Sequence, residues 1–408
     1  MINILKRKDN MKRLHTDIKN QVLTSMINIL DNSRTEILAA NAEDIANFQG
    51  QDQALYDRLL VNDKKIDEMI RAVRAVAGQE DPVGKTISDL TLENGLHIVN
   101  QTAPFGTIMI IYESRPDVTI EAAVLAFKAN NRILLKGGKE AVHTNQALVD
   151  CWHRALAEHE LPKDWIQLLT LNREDTQEFL RNPPQRLDLI VPRGGERLIA
   201  FVKEHARCAV LISGRGNNFA YISGDADWEM ALKVVVHSKI DKISACNALD
   251  KILINPALPN FEERVRELGK HFAKESVEIL ADEPLRSYFA SSQSLPDEAW
   301  HEEFLAKKIA IGLAADLPAA VEKINNCSGG HSAIIFSTDT QKAQAFMEQV
   351  DCAAVYHNAS TRFTDGGQMG VGAELAISTD KLHHRGPLGL EQLVTNKYYV
   401  FGEGQVRE

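Results

Sequence analysis

The chain has 408 residues, of which 44% are hydrophobic and 25% are charged, and its formal net charge is −10. This length exceeds what one ordinary hydrophobic core organises, so we expect two or three domains. The acidic excess argues against nucleic acid as the main partner. It leaves anionic small molecules open as ligands, because the charge of a binding site is local.

No stretch of the sequence indicates a membrane span, a secretory signal or a metal site. The densest apolar run, residues 105–112, is far too short to cross a bilayer. The first twenty residues lack the apolar centre of a signal peptide. Five cysteines at wide, irregular spacing fit a reducing cytoplasm, and the lack of C-x-x-C and H-E-x-x-H motifs argues against zinc. We therefore expect a cytoplasmic protein without metal, membrane or nucleic-acid partners.

The first quarter of the sequence predicts helices followed by a hairpin. Residues 8–77 carry apolar positions at three- and four-residue spacing, as amphipathic helices do. Asn94-Gly95 then lies between two runs of alternating polarity, and this dipeptide favours tight hairpin turns. We predict a β-hairpin over about 83–103, which is either a contact between subunits or a surface hairpin without a partner.

From residue 107 onward, short apolar runs alternate with amphipathic helical segments. A helical pattern follows each of "TIMIIY", "RILLK" and "LDLIV", and a second series of the same kind begins after about residue 217. This alternation predicts parallel sheets covered by helices on both faces. A final strand, "NKYYVF" (396–401), stands alone near the C-terminus. The predicted fold class is α/β, with two doubly wound units.

Two Gly-Gly pairs, in "LLKGGKEA" and "VPRGGERL", each stand between a predicted strand and a predicted helix. Glycine lets a ligand approach the backbone, and the start of the following helix offers N–H groups to an anion. Together with the adjacent cationic residues they predict a dinucleotide site, although either pair alone could be an ordinary tight turn. No G-x-G-x-x-G motif occurs, so the usual Rossmann fingerprint is absent. The cofactor-binding residues predicted here are Lys136, Gly137, Gly138, Lys139, Arg193, Gly194 and Gly195.

One cysteine stands apart from the others. Cys246, in "KISACNAL", lies at a junction between a predicted helix and a predicted strand, with small neighbours and two lysines upstream. A reactive thiolate needs such an open, electropositive setting. Cys151, Cys208 and Cys352 lie at apolar positions and are more simply core residues. Cys327, in a predicted turn, remains the alternative.

The segment "NASTRFTDGGQMGVGAE" (358–374) combines hydroxyl groups, one arginine and four glycines. Such a set suits an anion, and arginine can bind a carboxylate or phosphate through two parallel hydrogen bonds. The alternative is a structural loop in which Arg362 pairs with a nearby acid such as Asp365.

Eight segments of the chain, in order, resemble the γ-glutamyl phosphate reductases, also called glutamate-5-semialdehyde dehydrogenases, a family of the aldehyde dehydrogenase superfamily. They are "IYESRPDVTIEAA", "LLKGGKEA", "VPRGG", "ACNAL", "GGHSAI", "AAVYHNASTRFTDGG", "GAELAIST" and "HHRGPLGLEQL". The resemblance implies an aldehyde-dehydrogenase-like fold with an NADPH-binding domain over 1–216 and a catalytic domain over 217–372. The segment 373–408 would return to the cofactor domain and end in an oligomerisation strand. That strand and the 83–103 hairpin of a neighbouring subunit would form a small β oligomerisation element.

The resemblance also implies roles for individual residues. Cys246 matches the family's nucleophile, and we expect its N–H, helped by the Asn247 side chain, to face the developing oxyanion. Glu303 resembles the acid that holds the nicotinamide ribose. At 217–219 this chain has Asn-Asn-Phe where the family commonly has Val-Cys-His, which leaves the role of these positions open. The expected substrate-binding residues are Arg115, His331, Ser360, Thr361, Arg362 and Asp365.

The function implied by the resemblance is NADPH-dependent reduction of L-glutamate 5-phosphate to L-glutamate 5-semialdehyde, with release of phosphate, through a thioester on the cysteine. This is the second step of proline biosynthesis from glutamate. The resemblance further implies a homo-oligomer and functional coupling to glutamate 5-kinase.

Two other functions are open to the same sequence. An oxidising aldehyde dehydrogenase would hydrolyse the thioester, and a CoA-acylating one would pass it to coenzyme A. Hydrolysis needs a general base, and the segment "VLISGRG" (210–216), where a glutamate commonly stands, contains no acid. This absence favours the reductase. A binding protein of the same fold that has lost catalysis is disfavoured because Cys246 and the 358–374 segment are both present.

Overall fold

The computed structural model describes residues 13–50 and 53–407. Within them the chain forms two compact units. The first unit comprises residues 13–212, 370–376 and 388–407, and the second comprises Ser213–Met369 and Ile377–Pro387. The first segment of the first unit ends at Ile212. The sequence predicted this boundary four residues later, after residue 216. The return of 373–408 to the first unit is interrupted, because residues 377–387 belong to the second.

The first half of the chain begins with helices and continues as alternating strands and helices. Its elements are α1 (Thr16–Asn32), α2 (Arg34–Asn47), α3 (Gln53–Leu59), α4 (Asp63–Gly78), β1 (Thr86–Thr91), β2 (His97–Pro104), β3 (Thr107–Tyr112), α5 (Asp117–Lys128), β4 (Arg132–Lys136), α6 (Val142–Glu158), β5 (Ile166–Leu168), α7 (Arg173–Arg181), β6 (Leu189–Arg193), α8 (Glu196–His205) and β7 (Ala209–Val210).

The second half repeats the alternation and closes on a long strand. Its elements are β8 (Asn218–Ile222), α9 (Trp228–Ile240), β9 (Leu249–Ile254), α10 (Phe261–Lys274), β10 (Glu278–Ala281), α11 (Glu283–Arg286), β11 (Gln293–Ser294), β12 (Lys308–Leu313), α12 (Leu317–Cys327), β13 (Ser332–Phe336), α13 (Thr340–Gln349), β14 (Ala354–His357), β15 (Ile377–Ser378), β16 (Gly386–Pro387) and β17 (Val394–Phe401). No helix in the described part of the chain is long and apolar enough to traverse a lipid bilayer.

The first unit is built on a parallel five-stranded sheet of order β5-β4-β3-β6-β7. The chain proceeds from β3 outward to β4 and β5, then returns to the other side of β3 for β6 and β7. Such a reversal of strand order opens a crevice at the carboxyl ends of the central strands, where α/β proteins bind ligands. The two Gly-Gly pairs follow β4 and β6, so both stand at this edge of the sheet.

The second unit contains a parallel seven-stranded sheet of order β11-β10-β12-β9-β8-β13-β14. Strands β8, β9 and β13 are fully buried along their length, as expected of strands covered on both faces. The prediction of two doubly wound parallel sheets is confirmed. The short strands β10 and β11 were missed because they span only four and two residues.

The predicted hairpin is confirmed, but the predicted partner of the last strand is wrong. Strands β1 and β2 pair antiparallel, and Gly95 closes their turn in the left-handed region with φ of 84°. Strand β17 pairs antiparallel with β2 of its own chain along its whole length, from Val394 opposite Pro104 to Phe401 opposite His97. One edge of β17 is therefore hydrogen-bonded to the hairpin of its own chain, whereas the sequence predicted that it pairs with the hairpin of a neighbouring subunit.

Candidate active site

A cavity of about 300 Å³ lies beside the first Gly-Gly pair in the first unit. Lys136 ends β4, and burial of its side chain lowers the pKa of its ammonium group. Its Nζ donates to the carbonyl of Gly137 at 3.1 Å. The cavity is lined by Lys136, Gly137, Gly138, Lys139, Val142, Asn145 and the stretch 168–172. All four predicted residues of this turn are thus brought together, whereas the contribution of 168–172 carried no motif that could have revealed it.

The second Gly-Gly pair is tied to the end of β3. The N–H of Gly195 donates to Glu113 Oε2 at 3.1 Å, and the carbonyl of Arg193 accepts from the Glu113 N–H at 3.3 Å. A larger cavity of about 620 Å³ is lined by Glu113, Gly138 and Lys139 among other residues. Neither cavity includes Arg193, Gly194 or Gly195 in its lining. The second Gly-Gly pair therefore contacts Glu113, which lines the larger cavity, but does not itself line either cavity.

Arg115 belongs to the first unit, just after β3. Its Nη2 lies 2.9 Å from Asp117 Oδ2, and its side chain is 41% exposed. Asp117 starts α5, and the adjacent guanidinium lowers the pKa of its carboxyl group against the opposing effect of burial. The other predicted substrate-binding residues all belong to the second unit.

Cys246 lies in a turn between α9 and β9, and its side chain is half-buried. The turn is closed by the N–H of Ala248, which donates to the carbonyl of Ala245 at 3.0 Å. Gly216 packs directly against it, because a Cβ placed on this glycine would come within 1.6 Å of the Cys246 carbonyl oxygen. Only glycine fits at this position.

The loop that carries "NASTRFTDGG" packs onto this turn through Asn247 and Thr361. The Asn247 Nδ2 donates to the carbonyls of Thr364 at 3.0 Å and Arg362 at 3.3 Å. In return, the Thr361 hydroxyl donates to the Asn247 carbonyl at 2.7 Å. The Asn247 amide thus has a structural role, and its expected role at the oxyanion stays a prediction.

The hydroxyl groups of this loop are engaged within the protein, which differs from the expected anion cradle. Ser360 is buried, and its hydroxyl shares a 2.7 Å hydrogen bond with Ser238 and accepts from the Arg362 N–H at 3.1 Å. Thr361 is completely buried. Both hydroxyl groups are therefore used within the protein, and the expected contact of these two side chains with a substrate stays a prediction.

Arg362 is the charged group of the loop. Its Nε donates to Asp241 Oδ2 at 3.0 Å, and this hydrogen bond lowers the pKa of the Asp241 carboxyl group. Its Nη1 is buried and has no hydrogen-bond partner among the residues that the structure describes. Asp365, the acid suggested as its partner, instead accepts from the N–H groups of Gly367 at 3.0 Å and Gln368 at 3.2 Å. The alternative of an ion-paired arginine is thus realised with Asp241 instead of Asp365.

His331 is buried in the core of the second unit, and its expected contact with substrate stays a prediction. It is fully buried, and desolvation lowers its pKa to about 4, so the imidazole is neutral at neutral pH. Its Nδ1 pairs with the Ser332 hydroxyl at 2.8 Å, and Ser332 in turn pairs with the Thr364 hydroxyl at 2.7 Å. This chain of hydrogen bonds supports the loop from below.

Glu303 contacts Gly216, the glycine that packs against the Cys246 turn, and its expected role at the nicotinamide ribose stays a prediction. Its Oε1 accepts the Gly216 N–H at 3.0 Å. Two buried residues of β9, which sequence reasoning missed, hold the segment that carries it. Lys251 Nζ donates to the Glu302 carbonyl at 2.7 Å and lies 3.6 Å from the centre of the Phe304 ring. Asp250 Oδ2 accepts the Phe304 N–H at 3.2 Å.

The remaining cysteines are poor candidates for a thiolate. Burial raises the pKa of the Cys151 and Cys327 thiols, and it raises the pKa of Cys208 and of Cys352 to about 11. A raised pKa disfavours the thiolate, which is the nucleophilic form.

Comparison with known proteins decides the family. The model of the aldehyde dehydrogenase family matches residues 10–278 and 295–374. The gamma-glutamyl phosphate reductase of Thermotoga maritima is 40% identical over 405 residues, covering 98% of this chain and 96% of the relative. The enzyme of the same name from Carboxydothermus hydrogenoformans is 39% identical over 400 residues, covering 97% of this chain and 96% of the relative. The chain belongs to the gamma-glutamyl phosphate reductase branch of the aldehyde dehydrogenase family.

The fold agrees with this assignment. A crystal structure of the Thermotoga maritima gamma-glutamyl phosphate reductase matches with a TM-score of 0.93 and 39% identity, covering 98% of this chain and 97% of that one. Aldehyde dehydrogenases use NAD or NADP, so the cofactor class of the present chain is a nicotinamide dinucleotide. Its substrate is a small molecule.

Proposed function

We propose that this chain reduces L-glutamate 5-phosphate to L-glutamate 5-semialdehyde with NADPH and releases phosphate. This reaction is the second step of proline biosynthesis from glutamate. The observation that carries the proposal is the packing of the 358–367 loop onto the Cys246 turn, through the reciprocal hydrogen bonds of Asn247 and Thr361. The match to relatives of this name along nearly the whole chain supports the same activity.

In the proposed mechanism Cys246 forms a covalent intermediate. Its thiolate attacks the acyl carbon, a C–S bond forms, and the C–O bond to phosphate breaks as phosphate leaves. Bound NADPH supplies the hydride that reduces the resulting thioester. The thiohemiacetal then collapses to the aldehyde, and Cys246 leaves as the thiolate. The N–H of Cys246 and the Asn247 amide are the proposed donors to the oxyanion.

For the cofactor, we propose that the cavity beside Lys136 holds the phosphorylated adenosine end of a dinucleotide. Lys136 and Lys139 give it two cationic groups, and Gly137 and Gly138 leave its backbone accessible. We propose that Lys136 lies near the adenosine 2′-phosphate, assisted by Lys139 or Arg193, and that NADPH is therefore preferred to NADH. Glu303 is the proposed partner of the nicotinamide ribose.

For the substrate, we propose that the Arg362 guanidinium takes an anionic group. Its buried Nη1 lacks a partner in the described part of the chain, a costly state that a bound anion would relieve. Asp365 is the proposed partner of the substrate ammonium group, and Arg115, which is partly exposed, is a further candidate for an anionic group.

We also propose that the protein is a homo-oligomer assembled through the β1-β2-β17 sheet. The order β1-β2-β17 leaves one edge of β1 and one edge of β17 without a paired strand in the described part of the chain. Every residue of β1 is exposed, and β17 is exposed beyond its first residue. Tyr398, Val400 and Phe401 are each more than half exposed. Exposed apolar edge strands invite pairing with another copy. Light scattering at micromolar concentration should give at least a dimer, and a monomer would contradict the proposal. Functional coupling to glutamate 5-kinase, which makes the substrate, remains a prediction.

The reverse reaction separates the reductase from its alternatives. Purified protein is incubated with glutamate 5-semialdehyde and NADP⁺, and NADPH formation is followed in three conditions: buffer alone, with inorganic phosphate, and with coenzyme A. The reductase should form NADPH only with phosphate, because phosphate is the group that attacks the thioester in reverse. Rapid NADPH formation in buffer alone would indicate hydrolysis, and dependence on coenzyme A would indicate acylation. Either result would refute the proposal.

The forward reaction provides the complementary measurement. Glutamate 5-phosphate is generated in the cuvette by a glutamate kinase with ATP and glutamate, and NADPH oxidation is followed. Omission of ATP is the matched control, since it removes only the acyl phosphate. Oxidation of NADPH that does not depend on ATP would contradict the assigned substrate.

A further inference from the structure

The side-chain amide of Asn218 lies among three backbone carbonyl oxygens around the Cys246 turn. Its Nδ2 is 2.5 Å from the oxygen of Gly216, 2.8 Å from that of Cys246 and 2.7 Å from that of Ala248. An amide nitrogen carries two hydrogens, so three acceptors share them. Asn218 is fully buried at the first position of β8. Its amide therefore joins β8 to two peptide groups of the turn that carries the thiol.

This contact occurs where the ladder between β8 and β9 is irregular. Asn218 stands opposite Leu249, but the next residue, Phe219, stands opposite Lys251, so Asp250 is an extra residue on β9. An extra residue interrupts regular backbone pairing and redirects nearby side chains. At this irregularity the Asn218 side chain donates hydrogen bonds to the carbonyls of Cys246 and Ala248, which precede β9.

All four consecutive carbonyl groups of 245–248 have a specific donor. The Asn218 amide donates to the carbonyls of Cys246 and Ala248, and the Thr361 hydroxyl donates to that of Asn247. The N–H of Ala248 donates to the carbonyl of Ala245. In a trans peptide the C=O and the following N–H point in opposite directions. Fixing the Cys246 carbonyl toward Asn218 therefore also fixes the direction of the Asn247 N–H.

The arrangement has a cost that an apolar residue would avoid. The Oδ1 of Asn218 is buried without a hydrogen-bond partner in the part of the chain that the structure describes. A buried, unsatisfied polar atom lowers stability. The three contacts of Nδ2 with the turn offset this cost, and they are contacts that an apolar residue could not make.

We propose that Asn218 is a positioning residue for Cys246. By holding the carbonyls of Cys246 and Ala248, it sets the conformation of the turn in which the thiol and its neighbouring N–H groups meet the substrate. The inference rests on the proposed function, in which Cys246 is the nucleophile. It also assigns a role to a position where this chain departs from the usual family pattern.

The test compares Asn218→Ala with a matched control, Asn217→Ala. Asn217 is equally buried, donates to two carbonyls at 2.7 and 2.8 Å, and also has an unpartnered Oδ1 within the described chain. Its acceptors belong to Trp300 and Cys327, outside the Cys246 turn. Asn218→Ala should lower kcat about 100-fold, with KM for glutamate 5-phosphate changed less than about threefold, because misplacing a reacting group by about 1 Å has effects of that size. Asn217→Ala should keep kcat within about threefold of the wild type.

A second readout does not depend on turnover. The rate of Cys246 alkylation by iodoacetamide is measured against pH, with the modified peptide identified by mass spectrometry. In Asn218→Ala the midpoint of this profile should move up by about one pH unit, since the N–H dipoles that favour the thiolate lose their fixed direction. If the wild type proves inactive with glutamate 5-phosphate, this selective shift still tests Asn218 separately from the proposed function.

Two results would overturn the inference: native kcat with a native alkylation profile in Asn218→Ala, or equal effects of the two alanine substitutions. Equal effects would indicate general loss of packing rather than positioning. If Asn218→Ala does not fold, as judged by its thermal unfolding, Asn218→Ser replaces it in both measurements. Serine is small and keeps a hydroxyl that can reach at most one of the carbonyls, so an intermediate kcat is expected, and a native kcat again contradicts the proposal.

Discussion

The side-chain hydroxyl of Thr361 donates a 2.7 Å hydrogen bond to the carbonyl of Asn247, across 114 residues of sequence. Both residues are buried, so water cannot replace this bond. It fixes the arginine-bearing loop relative to the peptide group between Asn247 and Ala248 in the Cys246 turn. A sequence segment that was expected to bind the substrate through hydroxyl groups thus uses one of them to hold the Cys246 turn.

Thr361→Val tests this contact, because valine has the same shape and lacks the hydroxyl. It leaves the Asn247 carbonyl unsatisfied, which should lower the free energy of unfolding by about 1–3 kcal/mol. We expect kcat to fall as well, since the Cys246 turn loses one of its supports. Urea unfolding and steady-state kinetics measure the two effects. Thr340→Val, at an exposed threonine that starts α13, is the control and should change neither.

Cys246→Ala should abolish turnover while leaving thermal unfolding and NADPH binding unchanged, because only this thiol is proposed to form the thioester. Cys327→Ala and Cys352→Ala should remain active, since burial raises the pKa of both thiols. A single-turnover reaction, quenched and digested, should carry a glutamyl group on the peptide that contains Cys246. Near-native reduction of glutamate 5-phosphate by Cys246→Ala would show that the proposed mechanism is wrong.

Lys136→Glu should weaken NADPH binding much more than NADH binding. The substitution replaces attraction of the 2′-phosphate with repulsion, and NADH lacks that phosphate. Relative to the wild type, the dissociation constant for NADPH should increase by a factor at least about ten times larger than that for NADH, equivalent to about 1.4 kcal/mol. Nucleotide fluorescence measures both constants. Lys163→Glu, at an exposed lysine that lines neither described cavity, is the charge-matched control. Equal losses for both nucleotides would show that Lys136 does not read the extra phosphate.

Arg362→Ala should raise KM for glutamate 5-phosphate at least about tenfold and leave NADPH affinity unchanged. The backbone carbonyl that accepts from Asn247 is retained in this variant, so the effect reports on the guanidinium. Asp241→Ala removes the ion-pair partner but keeps the guanidinium, and it should raise KM much less. Normal kinetics in Arg362→Ala would make the loop structural only.

Lys251 should give the protein a measurable pH dependence of stability. Burial lowers its pKa to about 7, whereas lysine in an unfolded chain titrates near about 10.4. Below pH 7 both states carry the proton, so the folded state bears the full cost of a buried charge. Between the two pKa values only the unfolded state binds the proton, and stability therefore rises with pH.

Lys251→Met removes this group, so its stability relative to the wild type should be greatest below pH 7. The difference should then decrease by up to about 1.4 kcal/mol per pH unit between pH 7 and about 10. Urea unfolding at several pH values measures it. Lys308→Met is the control, because Lys308 lies over the same Phe304 ring but is partly exposed. Parallel stability curves for Lys251→Met and the wild type would contradict the shifted pKa.

Much of the architecture was predictable because it depends on local patterns. Alternating short apolar runs and amphipathic segments determined the two parallel sheets, and Asn94-Gly95 determined the hairpin. The glycines after Lys136 marked a turn at the carboxyl end of β4, where the cavity lies. Cys246 was singled out by its small neighbours and by its position between a helix and a strand.

The tertiary structure decided which polar groups are available. Whether a hydroxyl or imidazole is exposed depends on segments far away in sequence, and no local pattern encodes them. His331 and Thr361 are therefore buried although their motifs suggested substrate contact. Strand β17 likewise pairs with β2 of its own chain. The sequence could not predict this, because the hairpin of a neighbouring subunit would offer β17 the same backbone hydrogen bonds. The contacts of Asn218 with the Cys246 turn have the same origin, since they arise where two strands paired in the sheet lose their register. Residue identity sets what each group can do, and packing sets which groups meet.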